Sequence, residues 1–324
     1  MKLCLRCGAT FGPSAQSPLA PSRSPAAGAT AESSAAAGAG HYGIGGWRCP
    51  QCGHAPPSAG GFPAFAPEIA HGASGYDPAH FAELARLEAG NFWFRARNRL
   101  IAWAIGRYCG GARNFLEIGC GTGFVLAGIA AAFPAMKLAA SEASAEGLAF
   151  AAARVPGASL MQMDARRIPF RDEFDAIGAF DVIEHIEDDR GVLLALREAL
   201  VPGGGLILTV PQHPFLWSEY DVRAGHVRRY RARELRRKAA GAGLEIVRMT
   251  SFVTVLLPLM MLSRLAQRRP RRDYDPLAEL RIAPWVNWPL EQALFLERVL
   301  IRAGVTLPAG GSLLVVARRP LTSR

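Results

Sequence analysis

Phe115-Leu116-Glu117-Ile118-Gly119-Cys120-Gly121-Thr122-Gly123 is an apolar run that meets a glycine turn, and Phe124–Phe133 after it reads as a helix. Glycines at the carboxyl end of a buried strand let backbone approach a ligand closely. The spacing is E-x-G-x-G-x-G rather than G-x-G-x-x-G, with an acid two residues before the first glycine. A carboxylate there suits a ligand carrying a cationic group, whereas a pyrophosphate calls for amide donors alone. A dinucleotide-binding dehydrogenase is the structural alternative, and this spacing counts against it.

Working outward, strand-like apolar runs at 114–119, 137–142, 159–163, 174–180 and 206–210 alternate with helical stretches near 123–133, 144–153, 188–200 and 231–241. Such alternation predicts parallel strands joined by crossover helices, hence an α/β fold with a Rossmann-like, mostly parallel sheet flanked by helices. Residues 244–249 and 312–317 read as late strands of the same sheet, with a helical insertion over 251–304 before the last of them. Residues 76–110 read as an N-terminal helical cap, stopped by Gly110-Gly111.

The 324 residues suffice for about two domains. Half the chain is apolar and a fifth is charged, which excludes a wholly disordered or fibrous protein. The net charge of +10 is local: 223–238 carries eight Arg or Lys against Glu234 alone, and 264–272 carries five Arg and no acid. The remainder is near neutral, so the basicity belongs to two patches and not to a surface that coats nucleic acid. The start, MKLCLRCGATFG, lacks the apolar core of a secretory signal. The longest apolar run, Phe252–Leu262, is far short of the roughly 20 residues that span a membrane. A cytoplasmic location is expected.

Four of the six cysteines form Cys4-x-x-Cys7-Gly8 and Cys49-x-x-Cys52-Gly53. Paired C-x-x-C turns in a chain without export signals predict metal ligands, not disulfides. Of the 41 residues between the pairs, 28 (Pro13–Gly40) contain 23 Ala, Ser, Pro or Gly and cannot form a core. Without that insert the spacing approaches that of a Cys₄ zinc ribbon, so residues 1–55 read as a structural zinc ribbon with a disordered loop over 13–40. Residues 56–75 read as a Pro/Gly-rich linker.

The glycine segment resembles the first motif of class I S-adenosylmethionine-dependent methyltransferases, and later segments fall in that family's order. They cover about 92–250 and 310–318, implying a methyltransferase domain over 111–250 plus 305–320. The resemblance implies that Glu117, Gly119, Cys120, Gly121 and Gly123 surround the cofactor, with Cys120 a small filler. It implies that Glu142, ending the second strand, accepts the ribose hydroxyls, which needs a bidentate acceptor. Asp164 and Ala165 correspond to the adenine contact, and Phe180 ends the fourth strand beside the cofactor. Glu142 and Asp164 also read as helix-capping acids. By similarity to ubiquinone-type O-methyltransferases Arg97 would bind the methionine carboxylate; alternatively Arg95, Arg97 and Arg99 line a solvated face.

The overall run resembles the type 11/12, ubiquinone-biosynthesis-like methyltransferases. No Asp-Pro-Pro-Tyr, Asn-Pro-Pro-Tyr or Pro-Cys follows the fourth strand. The expected reaction is O-methylation of a small-molecule, lipid-linked or glycan-type acceptor. An attacking hydroxyl loses its proton as the methyl arrives, and imidazole suits that task. His185 and His226 are therefore the candidate bases, beside Glu184. Asp181-x-x-Glu184-His185 resembles the acid-x-x-Glu-His of divalent-metal-dependent relatives, although Asp181 is a methylene shorter than their Glu. The plainer alternative is that Glu184 and His185 begin the helix at 188–200 and shape the pocket. A zinc ribbon beside a basic stretch also resembles ribosomal-RNA base methyltransferases, and a cofactor-binding scaffold without activity is a third alternative. Residues 252–272, apolar then basic, predict peripheral contact with the inner face of a membrane.

Overall fold

The computed structural model describes residues 1–12, 47–71, 79–266, 275 and 277–321. The expected insert 13–40, and Arg268, Arg269, Arg271 and Arg272 of the second basic patch, lie outside the described residues. The first half of the chain contains β1 (Lys2–Leu3), β2 (Thr10–Phe11), β3 (Ser58–Ala59), β4 (Phe62–Pro63), α1 (Ala79–Leu87), α2 (Phe92–Tyr108), β5 (Asn114–Ile118), α3 (Phe124–Ala132), β6 (Lys137–Glu142), α4 (Ala145–Arg154) and β7 (Ser159–Gln162). The second half contains β8 (Phe174–Phe180), α5 (Asp189–Ala199), β9 (Leu200–Pro211), α6 (Glu219–Arg223), α7 (Ala232–Gly241), β10 (Glu245–Phe252), α8 (Leu257–Ala266), α9 (Pro284–Arg302) and β11 (Ser312–Arg318).

Seven strands form one sheet in the order β10-β11-β9-β8-β5-β6-β7. From β7 to β9 all neighbours are parallel, and β11 lies antiparallel between β9 and β10. This is the expected Rossmann-like sheet. The chain winds from β5 toward β7, then returns to the other side of β5 with β8, so the strand order reverses there. Ligand crevices open at the carboxyl ends of strands at such a reversal.

Side-chain alternation along β5 sends Leu116 and Ile118 into a core with Val192 and Leu196 of α5 and Leu235 of α7. Phe115 goes to the opposite core, with Ile101 and Ile105 of α2 and Ile129 of α3. Glu117, two residues on, shares the Phe115 face and so points toward α2. Burial on both faces explains why β5, after Asn114 at its start, is apolar apart from this one acid.

The described part of 56–75 is not the linker expected. β3 and β4 form an antiparallel hairpin, and the chain then runs along β7. Phe65 donates its amide to the Gln162 carbonyl at 2.8 Å. The Gln162 side chain accepts from the Ala66 amide at 3.1 Å and donates to its carbonyl at 2.8 Å. β7 ends the sheet, and this segment satisfies an edge that would otherwise stand open. Here Pro and Gly build tight turns, not slack.

β1 and β2 pair antiparallel, and the Leu3 amide bonds the Pro169 carbonyl at 2.9 Å, docking the N-terminal lobe beside β8. Trp47 packs edge-on against Phe11 and Phe65. At the far end, α9 is fixed by two buried polar groups. Asn287 accepts from the Phe92 amide and donates to the Gly90 carbonyl, both at 2.7 Å. Glu297 accepts the amides of Val253 (2.6 Å), Thr254 (2.6 Å) and Val255 (3.0 Å). Those bonds hold Val253 at φ +60°, unusual for a β-branched residue.

Candidate active site

A cavity of about 480 Å³ opens at the carboxyl ends of β5, β6 and β8. Arg97, Glu117, Gly119, Cys120, Gly121, Glu142, Asp164, Ala165 and Phe180 all line it. The volume lies within the usual range for small-molecule sites. Gly123, the remaining expected position, starts α3 behind the turn. A Cβ on Gly119 would stand 2.5 Å from Val182, whereas one on Gly121 would meet nothing within 4 Å. Gly119 is thus demanded by packing, and Gly121 borders the open space of the cavity.

Glu117 is buried, and its Oε2 has no hydrogen-bond partner among the described residues. Burial pushes its carboxyl well above the usual range, against the pull of nearby Arg97. An orphaned carboxylate at the cavity wall suits an incoming ammonium group. Arg97 leaves the surface: its guanidinium lies over the Trp93 ring, 4.4 Å from the centroid, and its Nε is unpartnered among the described residues. Arg95 and Arg99 instead pair with Glu291 of α9 on the far side of the helix. The three arginines therefore do not share one solvated face.

Glu142 accepts the amides of Gly121 and Ala143, both at 2.8 Å, which aims its carboxylate at the glycine turn. Burial raises its carboxyl despite those bonds. Asp164 accepts the Arg166 amide at 2.9 Å and, bidentately, the Arg166 guanidinium. Burial acts to raise the Asp164 carboxyl, but Arg166 outweighs it and holds it low. Sequence reasoning missed Arg166, and also Glu88, a buried acid that accepts from Thr122 Oγ1 (2.6 Å) and Arg154 (2.5 Å). Glu88 clamps the glycine turn from α1's end; no sequence spacing announces it.

Beyond the residues expected at the cofactor lie Glu184, His185 and His226. A carboxylate oxygen and one nitrogen from each ring come within 4.8 Å of one another. Glu184 is fully buried, and neither of its oxygens has a partner among the described residues. His226 Nδ1 lies 2.8 Å from Asp221 Oδ1, and Arg229 Nε donates to that oxygen at 2.7 Å. Burial acts to raise the Asp221 carboxyl, but His226 and Arg229 keep it low, hence ionised. In the neutral ring such an acceptor favours the proton on Nδ1, so that the Nε2 lone pair can take one up. Burial, with His226 nearby, lowers His185 to about 4. Asp221 was not foreseen, although Ser218-x-x-Asp221 is a capping-box spacing and Asp221 does cap α6.

The expected divalent set Asp181/Glu184/His185 needs correction. Asp181, at φ +58°, turns its carboxylate to the Arg97 guanidinium and to Thr209 Oγ1 at 3.2 Å. His226 takes its place in the cluster. Glu184 and His185 do not begin the helix either: they form a separate 3-10 turn (Ile183–His185), and Asp188 caps α5.

A family model described as a methyltransferase domain matches residues 83–249, just over half of the chain. The chain belongs to the class I S-adenosylmethionine-dependent methyltransferases. Among solved structures it is similar to the (4+2)-cyclase SpnF, at 20% identity over 71% of this chain and 83% of that one, with a TM-score of 0.49. It is also similar to Haemonchus contortus phosphoethanolamine N-methyltransferase 2 in complex with S-adenosylmethionine (21% identity, 68% and 52% covered, TM-score 0.44). A third is N-methyltransferase NodS from Bradyrhizobium japonicum in complex with S-adenosylhomocysteine (18%, 71% and 89%, 0.44). No curated protein sequence matches.

Two further features of this methyltransferase bear on function. Cys4, Cys7, Cys49 and Cys52 place their thiols together, with Sγ separations of 3.7 Å (Cys4–Cys52) and 3.6 Å (Cys7–Cys49). Four sulfurs about 2.3 Å from a tetrahedral ion stand about 3.8 Å apart, so the set fits a metal. Two matching turns build it: the Gly8 amide bonds the Cys4 carbonyl and the Gly53 amide the Cys49 carbonyl, each at 2.9 Å. In the first basic patch, Arg223, Arg228, Arg229 and Lys238 are paired with Glu219, Glu187, Asp221 and Asp189. Half of its eight charges are thereby engaged within the protein.

Proposed function

We propose that the enzyme transfers the methyl group of S-adenosylmethionine to a hydroxyl of a small-molecule, lipid-linked or glycan-type acceptor, with His226 as the general base. The observation that carries this is the buried Asp221–His226 pair at the cavity, beyond the residues that suit the cofactor. A carboxylate on Nδ1 orients the ring and stabilises the imidazolium formed when Nε2 takes the acceptor's proton. Glu117 suits the ammonium of the methionine moiety and Arg97 its carboxylate. Glu142 suits the ribose hydroxyls. Asp164 and Ala165 suit the adenine, though Arg166 already occupies part of the Asp164 carboxylate. S-adenosylmethionine supplies an electrophilic methyl group; the protein supplies position and proton removal.

The orphaned oxygens of Glu184 favour a second reading of the same corner. Glu184, His185 and His226 would hold a divalent ion, with Asp221 orienting His226 as carboxylates do for metal-bound histidines. Such an ion would lower the pKa of a bound hydroxyl. Cys4, Cys7, Cys49 and Cys52 would hold zinc in a purely structural role, since no coordination position remains open. A ribosomal-RNA acceptor gains little support, because half of the basic patch is consumed in ion pairs. We place the reaction on the cytoplasmic side.

Metabolite and lipid profiling of a deletion strain tests the acceptor class. The reading expects a species lighter by one CH₂ to accumulate, restored by the wild-type gene and not by His226→Ala. Assay of that species after EDTA and metal add-back then separates base from metal: turnover unchanged in EDTA excludes the ion.

A further inference from the structure

The outward face of α9 is apolar over its whole length. Trp285, Trp288, Phe295, Leu296, Val299 and Leu300 fall on one side of this 19-residue helix, and all are exposed. Trp285 is 80% and Trp288 66% accessible, so neither large ring is part of any core. At 1.5 Å per residue the stripe, from Trp285 to Leu300, runs about 24 Å. Only Gln292 interrupts it with a polar group, and no charged residue lies within it. The turn 253–255, which Glu297 ties to α9, leads into α8, and α8 adds exposed Leu259 and Leu262. No described helix is long and apolar enough to cross a membrane.

The charges beside the stripe say what covers it. Both acids of α9 are turned inward: Glu291 is held by Arg95 and Arg99, and Glu297 by three backbone amides. Arg302 stays exposed at the flank of the stripe, one turn on from half-buried Arg298. The face therefore offers apolar surface and positive charge, with its own acids withdrawn. A second copy would bring more of the same cations and no free acid to meet them. An anionic lipid surface complements both properties, and tryptophan prefers the headgroup boundary.

The tryptophan end also lies beside the active site. Asn287, between the two tryptophans, is bonded to Gly90 and Phe92, and the adjacent Trp93 and Leu280 line the cavity. We propose that the outer face of α9, with the exposed side of α8, docks the enzyme on an anionic lipid surface, its tryptophans at the headgroups beside the mouth of the cavity. The sequence points to 252–272 for membrane contact; the proposed contact centres on α9 instead, and 267–272 lie outside the described residues.

Flotation of the full chain with vesicles of phosphatidylcholine, with and without phosphatidylglycerol, tests this. At low salt the protein should float with the anionic vesicles only, with its tryptophan emission shifted to the blue. Trp285→Ala/Trp288→Ala should weaken vesicle binding at least about tenfold, and Leu296→Glu should do the same. Both variants should keep S-adenosylhomocysteine binding, which shows that they are folded. Wild-type protein that stays in the soluble fraction with anionic vesicles overturns the proposal. So does a wild-type dimer that Leu296→Glu converts to monomer, since the stripe would then belong to a second copy. Vesicle binding is read without turnover, so its failure leaves the methyl-transfer reading standing.

Discussion

At the scale of single residues, the proposed cofactor contact makes Glu117 the group whose state binding would change. Burial raises its carboxyl, and an ammonium bound there would return it to the charged form. Binding at a pH below that raised value therefore releases a proton, and affinity for S-adenosylmethionine should climb with pH before levelling off above it. Calorimetry in buffers of different ionisation enthalpy should detect the proton. Glu117→Gln should abolish the release and weaken binding roughly ten- to a hundredfold, the worth of a hydrogen bond to a charged group. His226 poses a different test. His226→Ala should lower kcat about 10²- to 10⁴-fold while leaving cofactor affinity alone. Asp221→Asn should slow turnover in the same direction, because a neutral amide no longer dictates which ring nitrogen carries the proton. A kcat that survives both substitutions would remove this pair from catalysis.

At the scale of elements, the Glu297 carboxylate ties α9 to the turn that follows β10. Glu297→Ala would strip three amides of their acceptor and free Val253 from its positive φ, at a cost of roughly 2–4 kcal/mol. Chemical denaturation should show that loss; a change below about 1 kcal/mol would mean that other contacts hold the insertion. The strands were legible in the sequence because their signal is local. Phe115–Ile118, Ala176–Phe180 and Leu206–Val210 are apolar runs broken only by Glu117 and Thr209, as strands buried on both faces largely are. The hairpin at 58–63 was not legible, since its composition is that of a linker and its partner Gln162 lies about a hundred residues away. The cofactor acids sit at strand ends in a recurring order and could be found. Glu88, Arg166 and Glu297 could not, because each acts through contacts made only after folding. Asp181 shows the reverse failure: its spacing to Glu184 suggested a shared ligand set, but a positive φ turns it to Arg97.

At the scale of the whole molecule, a seven-stranded sheet and a helical insertion border the cavity, and a small cysteine-rich lobe docks away from it. Metal analysis should find one zinc per chain, and Cys49→Ser should lose it. That substitution should unfold only the N-terminal lobe, whose few buried residues centre on Trp47, Cys4 and Cys49. Cofactor affinity should survive, because Leu3 and its neighbours touch the 169–173 loop and not the cavity. Global unfolding on chelation would instead make the ribbon part of the catalytic fold. The central claim, that the cavity at β5 and β6 is built for S-adenosylmethionine, is tested most directly by calorimetry of the wild type and Gly121→Val with that ligand and with NADH. The wild type should bind S-adenosylmethionine in the micromolar range, on the order of −8 kcal/mol, and should not bind NADH. Gly121→Val should abolish binding by filling the open space beside the turn. Binding of NADH without S-adenosylmethionine, or a Gly121→Val protein that binds as the wild type does, would contradict it.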